Sequence, residues 1–326
     1  MAEKVLKWGL LSTARINRAL IPVLKSSKRN ELAAVGSRDS GKAQAYAREW
    51  GIPKAVGTYE ALLSDPEIDV IYNPLPNSLH AEWSIKALEA GKHVLCEKPL
   101  AMSAAEVDAM TQAAQENKRV LAEALMYRHH PQTRRIKELV DTGRLGKLRM
   151  IKGGFTFNLN RPEDVRLKAE LGGGSVWDLG SYPISFARLM AGAEPVEVFG
   201  WQELQGGVDV TFAGQVRFPD GLIAQFDCGF RTQQRQYMEL AGSEGALSIT
   251  TPFKPGLDEK LEIHRGDEIE PVIIRGQQLY EGEVEDMADA VLKGQATRVS
   301  LTDSRGTVAT IEALLRSART GRPEIL

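Results

Sequence analysis

A glutamate and a lysine directly follow a short apolar segment, and a proline comes immediately after them. Residues 93–96 read as a buried strand, and Glu97-Lys98-Pro99 follows it. Ligands of α/β sheets bind outside the carboxyl ends of the strands. A lysine at such an end can stabilise negative charge developing on an oxygen, although it can also be an ordinary surface residue. Because few surface lysines stand between a buried strand and a proline, the spacing favours a functional ammonium.

The first strand–helix turn carries small residues where a dinucleotide-binding fingerprint carries glycines. Residues 9–17 place Ser12, Ala14 and Asn17 at the fingerprint positions. Glycines there permit a tight turn and close approach of the backbone to pyrophosphate, and small residues can do the same at a helix start. On this motif alone, a nucleotide site and an ordinary turn stay equally open. The residues of such a site would be Ser12, Thr13, Ala14, Arg15 and Ile16.

The end of the second predicted strand distinguishes between two nucleotides. Ser37 and Arg38 lie about 20 residues after the first turn, where NAD enzymes place a carboxylate on the ribose diol. Arg38 can instead form bidentate bonds to a phosphate, or it can be a surface arginine that pairs with Asp39. The pattern favours binding of a 2′-phosphate by Arg38, and therefore NADP over NAD as the cofactor.

The composition is that of an ordinary globular protein with small-molecule partners. The 326 residues include 41 Lys and Arg and 43 Asp and Glu, which gives a net charge of −2. This charge provides no electrostatic basis for binding nucleic acid or a membrane surface. No apolar run reaches the ~18 residues of a membrane span, and the N-terminus lacks a signal-peptide layout. Cys96 and Cys228 form no ligand cluster, so we expect a cytoplasmic protein without a metal.

The first half of the chain alternates short apolar strands with amphipathic helices. This pattern predicts a doubly wound α/β fold with a parallel sheet. The predicted strands are 5–11, 32–35, 54–56, 68–72, 93–96 and 120–122, and the predicted helices are 16–25, 41–50, 58–63, 78–90 and 103–117.

The second half reads as longer strands joined by hairpin turns, which predicts an open, mainly antiparallel sheet. We expect extended segments at 148–159, 196–204, 208–218, 222–230, 237–241 and 246–250, flanked by helices at 181–190 and 303–320. The predicted domains are a dinucleotide-binding domain at 1–123 and a substrate-binding and oligomerisation domain at 124–326.

Three motifs together resemble one enzyme family. They are Pro-x-Pro-Asn-x-x-His at 74–80, Glu-Lys-Pro at 97–99 and Gly-Gly-Gly-Ser-Val-Trp-Asp-Leu-Gly-Ser-Tyr at 172–182. With the first turn, they resemble the glucose–fructose oxidoreductase/inositol dehydrogenase (Gfo/Idh/MocA) family. The resemblance implies a Rossmann-type domain and a C-terminal α+β domain with an open sheet. It also implies a cis Lys98–Pro99 bond, a homodimer or homotetramer formed through that sheet, and NAD(P)-dependent chemistry on a sugar or related compound.

Two departures from the usual family pattern point to one branch. Position 182 is tyrosine where the family usually has histidine, and Ser12 and Ala14 replace the glycine pair. Both features resemble the dimeric dihydrodiol dehydrogenase and NADP-dependent D-xylose dehydrogenase branch. We therefore expect an NADP-dependent sugar oxidoreductase. The alternatives are a trans-dihydrodiol dehydrogenase or carbonyl reductase, and a non-catalytic NADP sensor.

Tyr182, Lys98 and Asp178 are the expected catalytic residues. A carbinol carbon loses hydride only as its hydroxyl proton leaves, and a phenol can exchange that proton in both directions. Its ordinary pKa of ~10 is too high for a good base near neutral pH, but a neighbouring Lys98 ammonium would lower it. Asp178 stands four residues before Tyr182 and is expected to hold Lys98 or a substrate hydroxyl. Pro183 suggests instead that the helix begins at Ser181, which would leave Asp178 on a loop.

The remaining expected site residues follow from their positions at strand ends and beside the glycine run. For the cofactor they are Leu75, Pro76, Asn77, His80, Glu97, Lys98 and Arg128. For the substrate they are Lys98, Arg166, Trp177, Asp178 and Tyr182. Arg166 can also brace its own loop, and Trp177 can also pack in the core.

Overall fold

The computed structural model describes residues 4–326, and the chain divides into two compact units. The N-terminal unit contains Met1–His129 and Tyr280–Arg305, and the C-terminal unit contains His130–Leu279 and Gly306–Leu326. The predicted boundary between residues 123 and 124 lies six residues before this division. The later segment that joins the N-terminal unit was not anticipated from the sequence.

A six-stranded parallel sheet forms the centre of the N-terminal unit, as predicted. Its order is β3-β2-β1-β4-β5-β6, the doubly wound arrangement of dinucleotide-binding domains. The strands of this sheet are β1 (Leu6–Leu11), β2 (Asn30–Gly36), β3 (Lys54–Val56), β4 (Val70–Asn73), β5 (His93–Glu97) and β6 (Leu121–Ala124).

All seven predicted helices are present, and three further helices, α6, α7 and α9, were not predicted. Over the described residues they are α1 (Asn17–Ser26), α2 (Ser40–Trp50), α3 (Tyr59–Leu63), α4 (His80–Glu89), α5 (Ala104–Glu116), α6 (Met126–His129), α7 (Pro131–Asp141), α8 (Ser181–Ala191), α9 (Glu281–Lys293) and α10 (Leu301–Thr320). The expected N-cap of α3 is confirmed, because Thr58 Oγ1 accepts a hydrogen bond from the Ala61 N–H at 3.0 Å.

Helix α9 explains why the N-terminal unit includes a late segment of the chain. Its apolar residues Val284, Met287 and Ala288 belong to one buried cluster with Leu20 and Leu24 of α1. Arg29 fixes the same helix through ion pairs with Glu285 and with Asp289, the latter at 2.6 Å. A short helix whose partners lie some 260 residues earlier gives no local signal of its location in the fold.

The C-terminal unit contains a nine-stranded sheet that is mainly antiparallel, which confirms the predicted class. Its order is β14-β13-β12-β11-β7-β10-β9-β8-β15, and among these neighbours only β7 and β10 run parallel. The strands are β7 (Leu148–Thr156), β8 (Glu197–Gln205), β9 (Val208–Arg217), β10 (Ile223–Gly229), β11 (Arg235–Gly242), β12 (Ala246–Ile249), β13 (Asp258–Arg265), β14 (Glu268–Arg275) and β15 (Glu324–Ile325).

The helix that carries Asp178 and Tyr182 begins earlier than Pro183 suggested. Residues Val176–Gly180 form a π-helical turn that continues directly into α8. The wider turn accommodates the proline, whose missing N–H would otherwise break the ladder of an α-helix. Asp178 therefore stands on the helical segment, and the expectation that it lies on a preceding loop is wrong. No helix among residues 4–326 has both the length and the apolar character needed to cross a bilayer.

Candidate active site

The first turn of the N-terminal unit has a geometry suited to an anion. Ser12 has a φ of 93°, a left-handed conformation that few residues other than glycine adopt. Its N–H donates to the Gly36 carbonyl at 2.9 Å, and the Asn17 amide donates to the Ser12 carbonyl at 2.9 Å. No side chain caps α1, and its first turn contains no acidic residue. The helix start therefore presents no negative charge to a phosphate, which fits a dinucleotide.

The end of β2 carries Ser37, which is buried, and Arg38, which is exposed. Burial raises the pKa of Tyr59, whereas the nearby Arg38 guanidinium opposes that increase. The Asp39 carboxylate accepts a hydrogen bond from the Lys42 N–H at 3.0 Å and so caps α2. The donor set at this strand end is a hydroxyl and a guanidinium, which suits a phosphate on the ribose.

Three side chains hold the lysine turn, which we define as residues 97–100. The Lys98 N–H donates to its neighbour Glu97 at 3.3 Å, and His80 Nδ1 lies 2.8 Å from the Pro99 carbonyl oxygen. The Leu100 N–H donates to Glu123 Oε1 at 3.0 Å. The Lys98–Pro99 bond is cis, as the family resemblance implied. Lys98 thus extends from a turn that is bonded to the rest of the unit at three of its four residues.

His80 is fully buried, so its expected place among the cofactor-binding residues becomes an indirect one. Its Nε2 lies 2.8 Å from the Leu75 carbonyl, and burial lowers its pKa to about 4. Because both ring nitrogens face protein carbonyls, His80 connects the loop after β4 with the lysine turn. Leu75, Pro76 and Asn77 lie on that same loop, which Asn73 organises through its 3.0 Å bond to Ser84.

Arg128 was expected to reach the cofactor or substrate, but the structure places it inside the N-terminal unit. The side chain is 6% exposed, and its Nη2 lies 2.6 Å from Asp303 Oδ2. Arg128 thus has an ion-pair partner within the N-terminal unit, and its expected contact with cofactor or substrate stays a prediction.

A cluster of titratable side chains was not identified from the sequence, and it consists of the buried Tyr72 and Glu283 and the half-buried Glu97 and Tyr280. The Tyr72 hydroxyl donates to Glu97 Oε1 at 2.5 Å. Glu283 is 1% exposed, and neither of its carboxyl oxygens has a hydrogen-bond partner among residues 4–326. Burial, and then the Glu97 charge, raise the pKa of Glu283 well above 4.5. The cluster therefore keeps a protonated acid behind the lysine turn.

In the C-terminal unit, Tyr182 belongs to an aromatic group with Phe155 and Phe253. Its ring lies edge-on to Phe155 at 5.3 Å and tilted against Phe253 at the same distance, and only 5% of the residue is exposed. The Lys254 ammonium lies 5.7 Å from the centre of the Phe155 ring. These contacts fix the orientation of the phenol ring. Trp177 is also buried, which is consistent with its alternative role in core packing.

The partner of Asp178 is Arg166, the arginine expected to orient the substrate or to brace its loop. Arg166 Nε donates to Asp178 Oδ2 at 2.6 Å, and Arg166 Nη1 donates to Asp164 at 3.1 Å. The two carboxylates raise the pKa of Arg166 above its ordinary value. Within the C-terminal unit Asp178 fastens the loop that precedes the helix, and its expected bond to Lys98 or to a substrate hydroxyl stays a prediction.

The run of glycines before this helix has a steric cause. A Cβ on Gly173 would lie 2.5 Å from the Arg166 carbonyl oxygen, and Gly174 has a φ of 124°. A side chain at Gly173 would displace the loop that carries Arg166, and one at Gly174 would meet Asp209 Oδ1 at 2.4 Å. The glycine run thus lets that loop pack closely against the start of the Tyr182 helix.

Residues 6–125 match the family described as "Oxidoreductase family, NAD-binding Rossmann fold", and residues 133–248 match "GFO/IDH/MocA C-terminal domain". Two curated relatives differ in their named substrates. The chain is 38% identical to D-xylose 1-dehydrogenase (NADP(+)) 2 of Haloferax volcanii, over 96% of this chain and 98% of the relative. It is 32% identical to trans-1,2-dihydrobenzene-1,2-diol dehydrogenase of Sus scrofa, over 76% of this chain and 75% of the relative.

One similar solved structure is KijD10, a 3-ketoreductase from Actinomadura kijaniata in complex with NADP and TDP-benzene. It superposes with a TM-score of 0.91 at 30% identity and covers 96% of this chain and 98% of its own. Other solved forms of KijD10 replace one tyrosine with phenylalanine, or one lysine with alanine or glutamate.

Proposed function

Because the chain belongs to the Gfo/Idh/MocA family of oxidoreductases, we propose that it is an NADP-dependent dehydrogenase or reductase of a sugar or sugar-like compound. In this proposal, Tyr182 is the acid/base and Lys98 assists it. The observation that carries the cofactor assignment is Arg38 at the end of β2, where NAD enzymes place a carboxylate. The named activities of the relatives are all enzymatic, so the sensor hypothesis is not retained.

The residues that would hold NADP lie at the carboxyl ends of the parallel strands. Ser12 to Ile16 would bind the pyrophosphate at the start of α1, and Ser37 and Arg38 would bind the 2′-phosphate. Leu75, Pro76 and Asn77 lie on the loop after β4, where they would contact the ribose and nicotinamide portion. The chemistry that bound NADP supplies is hydride exchange with carbon.

Tyr182 would exchange the proton of the substrate oxygen. During oxidation the phenolate accepts the hydroxyl proton, and during reduction the phenol returns a proton to the alkoxide oxygen. Phe155 and Phe253 restrict the ring to one orientation, so the hydroxyl does not have to be ordered when substrate binds. General acid–base catalysis of this kind contributes about 10²–10⁴-fold to a rate.

Lys98 would place a positive charge where the substrate oxygen becomes negative. Donors directed at developing negative charge are worth about 2.7–4 kcal/mol in comparable sites. The value of such a group depends on its being held in place before the reaction begins. The bonds to the lysine turn from Glu97, His80 and Glu123 provide that restraint.

A second candidate substrate class is a trans-diol or carbonyl compound with an apolar ring. It is favoured by the similarity to the diol dehydrogenase.

The proposal is tested by following reduced nicotinamide in the presence of NADP or NAD with a panel of substrates. The panel consists of D-xylose, other aldoses, 1,5-anhydrofructose in the reductive direction, and trans-diols. We expect NADP-dependent turnover with a sugar. Faster turnover with NAD would contradict the cofactor assignment, and turnover confined to the diols would select the second candidate. Absence of turnover with every compound would contradict both substrate classes.

A further inference from the structure

We propose that Glu123 is a positioning residue for Lys98 and acts through its hydrogen bond to the Leu100 peptide. This inference rests on the proposed role of Lys98 as the charge that assists catalysis. Glu123 is not part of any motif that the sequence suggested. It stands within the short strand β6, where a carboxylate is unusual because that strand is buried on both faces.

The first step of the argument is the contact itself. Glu123 is 2% exposed, and its Oε1 accepts the Leu100 N–H at 3.0 Å. Leu100 follows the cis peptide unit by one residue, so its amide forms the far end of the lysine turn. His80 holds the Pro99 carbonyl from the other side at 2.8 Å. The turn that carries Lys98 is thus fixed between an imidazole and a carboxyl group.

The second step is the cost of keeping a carboxyl group at this position. A buried carboxylate loses its hydration, and an apolar side chain would fill the same space without that loss. A main-chain amide at the end of the lysine turn gains a strong acceptor in return, because an ionised acceptor forms a shorter and stronger bond than a neutral one. The Glu123 carboxyl group therefore stabilises the lysine turn, although its burial costs free energy in the core.

The third step concerns the charges that face Glu123. Burial raises its pKa to about 7, and the Asp303 carboxylate acts in the same direction. The Ser304 hydroxyl, the Leu100 amide and the Arg128 guanidinium all oppose the increase. On the adjacent strand β5, the Cys96 thiol is protonated because burial raises its pKa. Glu123 therefore loses its proton close to neutral pH, and the bond to Leu100 becomes charge-assisted above that point.

The consequence for the enzyme is that the lysine turn is held more firmly above pH 7 than below it. Displacements of about 1 Å at a reacting group can change rates by up to 10²-fold. Turnover of the wild-type enzyme should accordingly increase as the pH rises through about 7. The same titration should increase the protection of the Leu100 amide, which is the factor by which its exchange is slower than that of an unstructured peptide at the same pH.

The test compares Glu123→Gln with Glu116→Gln, an exposed glutamate at the end of α5. The glutamine keeps an acceptor oxygen but cannot ionise. We expect kcat at pH 8 to fall about tenfold, the rise through pH 7 to disappear, and the Leu100 peptide to exchange faster by mass spectrometry. The Kd of NADP should change less than threefold. An unchanged pH profile, or unchanged exchange at Leu100, would overturn the inference.

Two further variants keep the test decisive. Asp303→Asn removes a carboxylate that raises the pKa of Glu123, so the rise in turnover should move to lower pH. If Glu123→Gln does not fold, an unshifted profile in Asp303→Asn overturns the inference. Lys98→Met separates the two proposals: wild-type turnover in that variant would contradict the proposed function itself. Loss of turnover in Lys98→Met, with unaltered Glu123→Gln profiles, would contradict only the role of Glu123.

Discussion

Arg166 and Asp178 form an ion pair in which Nε lies 2.6 Å from Oδ2, one helical turn before Tyr182. The same guanidinium bonds Asp164, so a single cation joins the loop before the glycine run to the start of the helix that carries Tyr182. This pair answers a question that the sequence left open, namely whether Arg166 braces its loop. It also means that the negative charge nearest to Tyr182 along the helix is already compensated.

Arg166→Gln is expected to lower the free energy of unfolding by about 1–2 kcal/mol, because it removes the guanidinium that joins Asp178 to Asp164. The side chain of Arg166 is 37% exposed, which keeps the effect below that of a fully buried pair. Urea unfolding followed by circular dichroism measures the change. Arg161→Gln is the control, since Arg161 pairs with the same Asp164 at 2.9 Å but is 59% exposed. Equal losses in the two variants would show that the bond to Asp178 contributes little.

Tyr182→Phe tests the acid/base assignment with little disturbance of packing. Phenylalanine preserves the ring contacts to Phe155 and Phe253 but has no proton to exchange. We expect kcat to fall by about 10² or more with the Kd of NADP unchanged. Turnover and cofactor binding are measured on the same preparation. Tyr237→Phe, on strand β11, should retain normal turnover, and a Tyr182→Phe enzyme of wild-type rate would refute the assignment.

The sheet classes were predictable because each half of the chain has its own local pattern. Buried parallel strands read as short apolar runs between helices, and β1 to β6 all appear where those runs stand. Strands β13 and β14 were not predicted, because charged residues separate the apolar ones over 258–271 and the apolar run at 272–274 is only three residues long. Helix α9 was missed for a different reason: its apolar face packs against α1, which lies far away in the sequence.

The sequence indicated which residues are candidates for the site. It did not indicate which side chains contact one another there. Lys98, Arg38 and Tyr182 were chosen as candidates because Lys98 and Arg38 follow predicted strands and Tyr182 ends a family motif. The structure pairs Arg128 with Asp303, Asp178 with Arg166, and His80 with two backbone carbonyls, and no local pattern in the sequence indicates these pairs. Glu123 is recognisable in the sequence as a carboxylate within an apolar strand. Its hydrogen bond to the Leu100 N–H is visible only in the structure.

Arg38→Ala tests whether Arg38 binds the 2′-phosphate of NADP. Loss of the guanidinium should raise the Kd of NADP at least tenfold, whereas NAD has no phosphate at that position and should bind almost as before. Fluorescence titration of both reduced nucleotides gives the two constants. Arg48→Ala, on the exposed side of α2, serves as the control for a general loss of positive charge. An equal increase in the Kd of NADP and of NAD would contradict the assignment of Arg38 to the 2′-phosphate.

Self-association through the nine-stranded sheet stays a prediction, and Trp201 offers a direct test. It is 55% exposed on β8 and lies 4.3 Å from the Phe199 ring, while Ile273 on β14 is 70% exposed. Trp201→Glu should lower the molecular mass measured by light scattering after size-exclusion chromatography. Leu257→Glu, which changes an equally exposed residue outside the strands, should leave the mass unaltered. A wild-type chain that elutes as a monomer would contradict the prediction.

Glu283 makes the stability of the protein depend on pH. Burial and the Glu97 charge raise its folded-state pKa above the ordinary value of 4.5, so the folded form keeps a proton that the unfolded form loses. The stabilisation is complete below about pH 4.5 and declines by at most about 1.4 kcal/mol per pH unit until the folded-state pKa is reached.

Glu283→Gln tests this dependence, because the glutamine cannot ionise in the folded or the unfolded state. Its unfolding free energy relative to wild type should therefore increase from pH 5 to pH 8, as measured by urea titration at several pH values. Glu89→Gln, an exposed control on α4, should follow the wild-type curve. Parallel curves for wild type and Glu283→Gln would show that Glu283 is ionised in the folded protein, which would contradict the protonated acid behind the lysine turn.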